Sequence, residues 1–377
     1  TPLSVYRKLA DGPYTYLFES VEGGENWARY SLIGLESSKI IFVKKNQIEV
    51  ELNGEIIESF YCDDPLDYID KLHKSFEIKQ IDDLPLFNGG LVGYFGYDCV
   101  RYIESRLVDS EPPDLIGTPD ALFMISDEVA VFDNLKNKLH LIVLVESEDD
   151  QEKANIRLDE LEDILKESLP FEDFNKPVKS IEETDFVSGF GEEEFKNSVD
   201  KAKKYIESGD IMQVVCSQRM SIPFNADPVA LYRSIRQLNP SPYMYYLNLK
   251  EFHIVGSSPE ILARLEDGKI TVRPIAGTRR RGKDETDDSA MEEDLVNDPK
   301  EIAEHLMLID LGRNDVGRVA KPGTVKVTEQ FGIEKYSHVM HMVSNVEADL
   351  DEDLSAIDLF KATFPAGTVS GAPKVRA

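Results

Sequence analysis

"RPIAGTRRRG", residues 273–282, sets three consecutive arginines directly behind a flexible Ala-Gly-Thr. The surrounding chain is acidic, with 42 basic and 71 acidic residues among 377 and a formal net charge of −29. Cations gathered against that background mark the border of a pocket for a small anion. A second stretch, "FPAGTVSGAPK" at 364–374, repeats the pattern with Ala-Gly-Thr beside Lys374. Glycines let backbone approach a ligand, free N–H groups and Thr hydroxyls bind carboxylates, and a nearby cation completes the site. Two such loops suit a substrate with two carboxylates. Neither ends in Gly-Lys-Ser/Thr, so a phosphate-cradling loop for a nucleoside triphosphate is not indicated.

Working outward, the length implies two domains or one large composite. With 41% hydrophobic and 30% charged residues, the chain has the composition of a globular protein. Its charge disfavours sequence-independent nucleic-acid binding and docking on anionic lipid, both of which need a basic surface. Cys62, Cys99 and Cys216 stand far apart without CxxC spacing and read as reduced core thiols of a cytoplasmic protein. No signal peptide is visible, and the longest apolar runs, such as "LHLIVLV" at 139–145, are far short of a membrane span. The absence of Met at the start and the abrupt "GAPKVRA" ending lead us to expect a longer protein at both ends.

Residues 1–170 read as a β-rich N-terminal domain, with a hairpin turn at Asn53-Gly54 and a strongly acidic helix near its end. In that helix Leu158, Leu161, Ile164, Leu165 and Leu169 form one stripe at helical spacing. "NGGLVGYFGYD" has the Gly and aromatic content of closely packed strands. A linker is expected over 171–190 and a second domain over 191–377. The second domain opens with a helix at 192–208, with Phe195, Val199, Ala202 and Ile206 facing inward and Gly209 as its cap. A strand-like run then alternates Gln213, Val215 and Ser217 against Met212, Val214 and Cys216.

Asp298-Pro299-Lys300-Glu301 is a strong helix start, combining a capping Asp, a Pro at the first position and a Glu in the capping-box position. Along that helix Ile302, Leu306 and Ile309 share one face, and Glu301, Glu304 and His305 much of another. Carboxylates three apart fit a solvated face or an oxygen site for Mg²⁺. Beyond them, Asp310, Arg313, Asn314, Asp315 and Arg318 suit a local network of ion pairs and turns. His338 and His341 suit general acid–base work better than metal ligation, and buried structural histidines equally well.

The segments "GDIMQVVCSQR", "GSSPEIL", "RPIAGTRRRG", "EHLMLIDLGRND", "HVMHMVS" and "FPAGTVSGAPKVRA" occur in the order seen in chorismate-utilising enzymes, and resemble most the large subunits of anthranilate synthases. The match is dense over 190–377 and looser before it, where "YLFES" and "GGLVGYFGYD" also look like the family. The resemblance implies an α+β fold, a large composite of antiparallel sheets flanked by helices. It implies that chorismate and ammonia, the latter from a glutamine amidotransferase partner, become anthranilate and pyruvate at the head of tryptophan biosynthesis.

Carried over residue by residue, Glu304 matches a Mg²⁺ ligand. Glu260 matches the general acid on the departing C4 hydroxyl, and His341 a histidine implicated in pyruvate elimination. Ala276, Gly277, Thr278 and Thr368 match the lining of the chorismate pocket, with Gly371 and Lys374 beside them. Gln213 stands where isochorismate and salicylate synthases carry a water-activating Lys, and a neutral amide cannot act as that base. Ala276 stands where aminodeoxychorismate synthases commonly carry a nucleophilic Lys. Both departures favour ammonia as the direct nucleophile. They leave an aminodeoxychorismate or isochorismate synthase, or a non-catalytic subunit that binds chorismate or tryptophan, as alternatives. Glu19, Ser20, Asn239, Pro240, Pro242, Tyr243 and Met244 match a tryptophan feedback site. The family pattern continues past "KVRA" with a second metal carboxylate, an arginine and a glycine-rich loop. The three arginines are then expected to anchor their own loop through acidic partners, or to lend it a positive field.

Overall fold

The computed structural model describes residues 1–21, 29–79, 81, 84–169 and 180–377. The chain divides into two compact units, Thr1–Asn175 with Asp227–Pro259, and Lys176–Ala226 with Glu260–Ala377. Neither unit is one continuous stretch, because residues 227–259 join the first rather than the second. The reason lies in strand pairing. Tyr243–Asn248 pairs antiparallel with Thr15–Glu19, and His253–Ser258 extends the sheet from there. Much of the expected linker at 171–190 lies outside the described residues.

The first unit is built on two antiparallel sheets. One runs His253–Ser258, Tyr243–Asn248, Thr15–Glu19, Tyr30–Gly34, Glu128–Asp133 and Lys138–Val143 in spatial order. The other runs Glu55–Tyr61, Gln47–Leu52, Lys39–Lys44, Ala121–Ser126 and Gly90–Phe95. The Asn53-Gly54 hairpin forms as expected: Leu52 pairs with Glu55, and both turn residues take positive φ, 51° and 85°. Tyr6, Leu17, Ile33, Leu161, Tyr232 and Tyr246 meet in one core cluster. Leu161 is the fully buried member of the acidic helix's stripe, Leu165 packs partly, and Leu169 lies exposed beyond the helix end at Lys166.

In the second unit the long Val339–Asp349 strand organises a five-stranded sheet. Along one edge it pairs with Lys269–Val272 and Ile275–Arg280, and along the other with Lys326–Lys335. Arg264–Glu266 completes the sheet. The Pro299–Gly317 helix packs on this sheet through Ile309 and Val316, which share a core with Ile270, Val346 and Leu359. Asp298 caps that helix as predicted, accepting from the Lys300 and Glu301 N–H groups with Pro299 at the first position. Leu306 departs from its expected inward face and is exposed.

The Glu192–Glu207 helix also forms, yet its apolar face is thinly covered. Phe195, Val199 and Ala202 are half-buried and Ile206 is exposed. The strand expected around Gln213 shortens to Gln213–Val214, paired with Gly371–Ala372. Of the cysteines only Cys99 is buried; Cys62 and Cys216 are half-buried, and all three are free.

Candidate functional site

Ile275–Arg280 is the strand from which the candidate catalytic residues can be traced. Its pairing with Val339–Asp349 slips between Ala276 and Thr278, leaving Gly277 in a bulge at φ +69°. A Cβ there would lie 2.9 Å from Leu295 Cδ1 and 3.2 Å from Glu301 Oε2, so the position requires glycine in both conformation and space. The bulge turns the Gly277 carbonyl to His341, whose Nδ1 lies 3.0 Å from it and 3.1 Å from Thr278 Oγ1. A carbonyl only accepts, so Nδ1 donates in this contact and Nε2 is the ring nitrogen left to take a proton. The Tyr336 ring stands edge-on at 5.5 Å.

Two residues earlier on the same strand, the Ile275 N–H donates to the Glu260 carboxyl, which also accepts from the Thr368 hydroxyl. Both bonds favour the charged form, but burial outweighs them and pushes the carboxyl up to about 7. A group that exchanges its proton near neutrality is suited to general acid work. Glu260 and Thr368 also line a cavity of about 30 Å³, with Pro274, Leu308, Gly312 and Asp315 among its walls. That is room for about two waters.

The Pro299–Gly317 helix supplies the carboxylates expected from the sequence. Gln213 Nε2 donates to Glu304 Oε1 at 3.4 Å, while Gln213 Oε1 is buried without a hydrogen-bond partner. Mg²⁺ takes oxygen ligands and keeps several waters. A carboxylate beside an unsatisfied amide oxygen has that donor chemistry. Among the described residues no three His, Cys, Asp or Glu side chains gather as a metal site, so water and substrate would supply the other ligands. His305, next along, is fully buried, with Nε2 on Ser344 Oγ at 2.7 Å and Nδ1 unpartnered. Burial lowers it to about 4, so it is neutral near pH 7 and plays a packing part.

The three arginines do anchor their loop. Arg279 pairs with Asp294, Asp298 and Glu301, Arg280 with Asp287, and Arg281 with Asp288 and the Tyr336 carbonyl. Lys374 has a different setting from the one its sequence neighbours imply. Its ammonium is buried against Asp315 and the carbonyls of Thr363 and Ala362. Asp315 therefore leaves the local network expected of it, whereas Arg313 does pair with Asp310 at 2.9 Å. No local spacing reveals the Lys374–Asp315 partnership, since the two residues lie far apart in sequence.

In the first unit the expected regulatory residues converge. Glu19 lies opposite Met244 in the sheet register, and the Val21 N–H donates to the Ser241 carbonyl. Glu19 is buried and accepts from Tyr232 at 2.6 Å and from Arg236 at 3.0 and 3.2 Å. Ser20 Oγ is buried without a partner. Asn239 ends the Pro228–Leu238 helix, and its carbonyl accepts from Ser257 at 2.7 Å. Pro240 and Pro242 flank the turn into the strand that Tyr243 begins. Tyr232 and Arg236 were not legible as partners of Glu19; their place one helical turn apart is the signal that points to them.

The family model described as chorismate binding enzyme matches residues 19–377. The chain belongs to the chorismate-binding enzymes. Within that family it is 53% identical over 380 residues to anthranilate synthase component 1 of Pseudomonas aeruginosa, covering 100% of this chain and 77% of that protein. The component 1 protein of Neisseria gonorrhoeae is 54% identical over 383 residues, with the same coverage. The crystal structure of anthranilate synthase component I from Streptococcus pneumoniae superposes with a TM-score of 0.77 at 35% identity, covering 94% of this chain and 78% of that one. An isochorismate synthase from Escherichia coli shares the fold, with a TM-score of 0.66 at 15% identity over 99% of this chain and 73% of that one. The chorismate-binding fold is thus α+β, as expected from the sequence. Among the described residues no helix is long and apolar enough to cross a membrane.

Proposed function

We propose that this chain is the chorismate-converting component of an anthranilate synthase, turning chorismate and ammonia into anthranilate and pyruvate. The observation that carries this reading is a proton donor and an imidazole that both meet the backbone of one strand, Ile275–Arg280. Ile275 holds Glu260 and Gly277 holds His341, two residues apart and so about 7 Å along the backbone. Glu260, protonated in part at neutral pH, gives its proton to the C4 hydroxyl, which departs as water while ammonia bonds to C2. The C2 proton then leaves to the Nε2 lone pair of His341. The C3–oxygen bond breaks, the ring becomes aromatic, and the departing enolpyruvate takes the proton held by His341 on its methylene carbon to become pyruvate, while the ammonium at C2 returns its extra proton to Glu260. Ala276, Gly277, Thr278 and Thr368 shape the pocket, and Gly371 backs the strand that holds Gln213.

Glu304, with the Gln213 amide oxygen, would hold Mg²⁺, which supplies charge neutralisation for a substrate carboxylate. Gln213 has no basic nitrogen with which to activate water, and Ala276 has no nucleophile. Ammonia therefore attacks directly. The component 1 name of the relatives implies a partner component. We propose that it is a glutamine amidotransferase and that tryptophan inhibits at the Glu19, Ser20 and 239–244 cluster.

The test is a product assay with chorismate, Mg²⁺ and ammonium, read by fluorescence and mass. Anthranilate with equimolar pyruvate is expected. A water adduct of chorismate without anthranilate would overturn the reading.

A further inference from the structure

Lys374 takes part in no step of this reaction, and its surroundings define a different task. Its ammonium donates to Asp315 Oδ2 at 2.5 Å, to Thr363 O at 2.7 Å and to Ala362 O at 3.4 Å. An ammonium is a donor only and suits such a set of oxygen acceptors. The two charged side chains are only 8% and 12% exposed. The carbonyls belong to the last residues of the Ala356–Thr363 helix, where helical acceptors lack internal partners and a cation is favoured. The loop 364–374 therefore leaves the helix end and returns to it through one ammonium.

Between those ends the loop touches both halves of the candidate site. The Thr368 hydroxyl bonds Glu260. The Ser370 and Ala372 carbonyls accept from Val215 N at 2.9 Å and Met212 N at 2.8 Å, fixing the short strand whose Gln213 reaches Glu304. Asp315 rides on the same helix as Glu304, about three turns further along. It also lines the small cavity shared by Glu260 and Thr368.

We infer that Lys374 and Asp315 act as a latch that closes the 364–374 loop and thereby positions Thr368 on Glu260 and Gln213 on Glu304. They are positioning residues. A buried ammonium needs its acceptors in one geometry, so the ion pair specifies a loop conformation that an apolar plug would leave open. The charged groups lining the cavity are Glu260 and Asp315, with Lys374 bonded to Asp315 and Arg318 one turn away donating to Ala362 O at 3.3 Å. Because the Thr368 bond favours ionised Glu260, a loosened loop raises the pH at which the acid loses its proton.

The catalytic readout rests on the proposed reaction, and the structural readout does not. Asp315→Asn and Lys374→Met in the intact chain are compared by amide hydrogen exchange at Met212 and Val215 and by kcat and KM for chorismate across pH. Expected are at least tenfold faster exchange, at least a tenfold lower kcat with KM within threefold, and an alkaline limb moved upward. Thr368→Ala should move that limb the same way. Exchange at wild-type rates in both variants, or a raised KM at wild-type kcat, overturns the latch. The double variant Lys374→Met/Asp315→Leu covers the case in which a single change unfolds the chain. Recovered thermal stability without recovered exchange protection supports the latch, and recovery of both overturns it. A wild type that makes no anthranilate defeats the functional reading, while the exchange comparison still decides the latch.

Discussion

Two glutamates, one in each unit, show how surroundings divide the work of the same side chain. Glu19, on a sheet strand, meets a guanidinium and a phenol from the Pro228–Leu238 helix. Glu260 is held by a hydroxyl and a backbone N–H, and burial keeps its proton in play near neutrality. A guanidinium and a phenol anchor the first in place. Neutral donors leave the second a proton donor. Burial dominates at Asp315 as well, pushing its carboxyl up to about 6 in spite of the ammonium beside it.

The largest effect is expected of Glu260→Gln. It should lower kcat by about a hundred- to ten-thousand-fold while leaving the far-UV spectrum intact. Residual activity above a tenth would remove Glu260 from the reaction. In the wild type, kcat should fall as pH rises through about 7, because the acid then loses its proton. Stability has the same sign. A carboxyl whose folded value lies above its ordinary 4.5 contributes fully below that pH, and the contribution is lost as pH climbs towards about 7. Chemical denaturation at pH 5 and pH 7.5 should reveal this loss in the wild type and less of it in Glu260→Gln.

Next in size, Glu304→Gln should weaken the Mg²⁺ dependence of turnover by about a hundredfold or more. Mg²⁺ titration by calorimetry checks it, and wild-type affinity would refute the metal role. In the first unit, Glu19→Gln should cost about 2 kcal/mol of stability, since a buried group loses charge-assisted bonds. It should also abolish any response to tryptophan, measured as the inhibitor concentration that halves the rate. Arg280→Ala should produce the smallest change, under about 1 kcal/mol by thermal denaturation, because its partnership with Asp287 is largely solvated.

Features fixed by neighbouring residues were legible from the chain itself. The Asn53-Gly54 turn, the Asp298 cap and the Glu192–Glu207 helix each depend on a few adjacent residues and formed where expected. The arginine triplet was readable too, because acidic residues follow it closely in sequence. What escaped depends on distant partners. Lys374 looks like a substrate grip until Asp315 and the end of a helix are placed around it. Leu306 fits an inward stripe, yet the sheet meets the helix on the side of Ile309 and Val316. No periodicity announces that Tyr243–Asn248 returns to pair with Thr15–Glu19.

That return governs the order in which the protein can be assembled during synthesis. Thr15 pairs with Asn248, so one edge of the first strand has no partner until most of the chain has left the ribosome. An unpaired strand edge invites association with other chains. The nascent protein must carry this open edge while the Glu192–Glu207 helix and its surroundings are still being made. Slow translation between these points would lengthen the exposure, and a chaperone that shields the 15–19 segment would act before any catalytic residue has found its place.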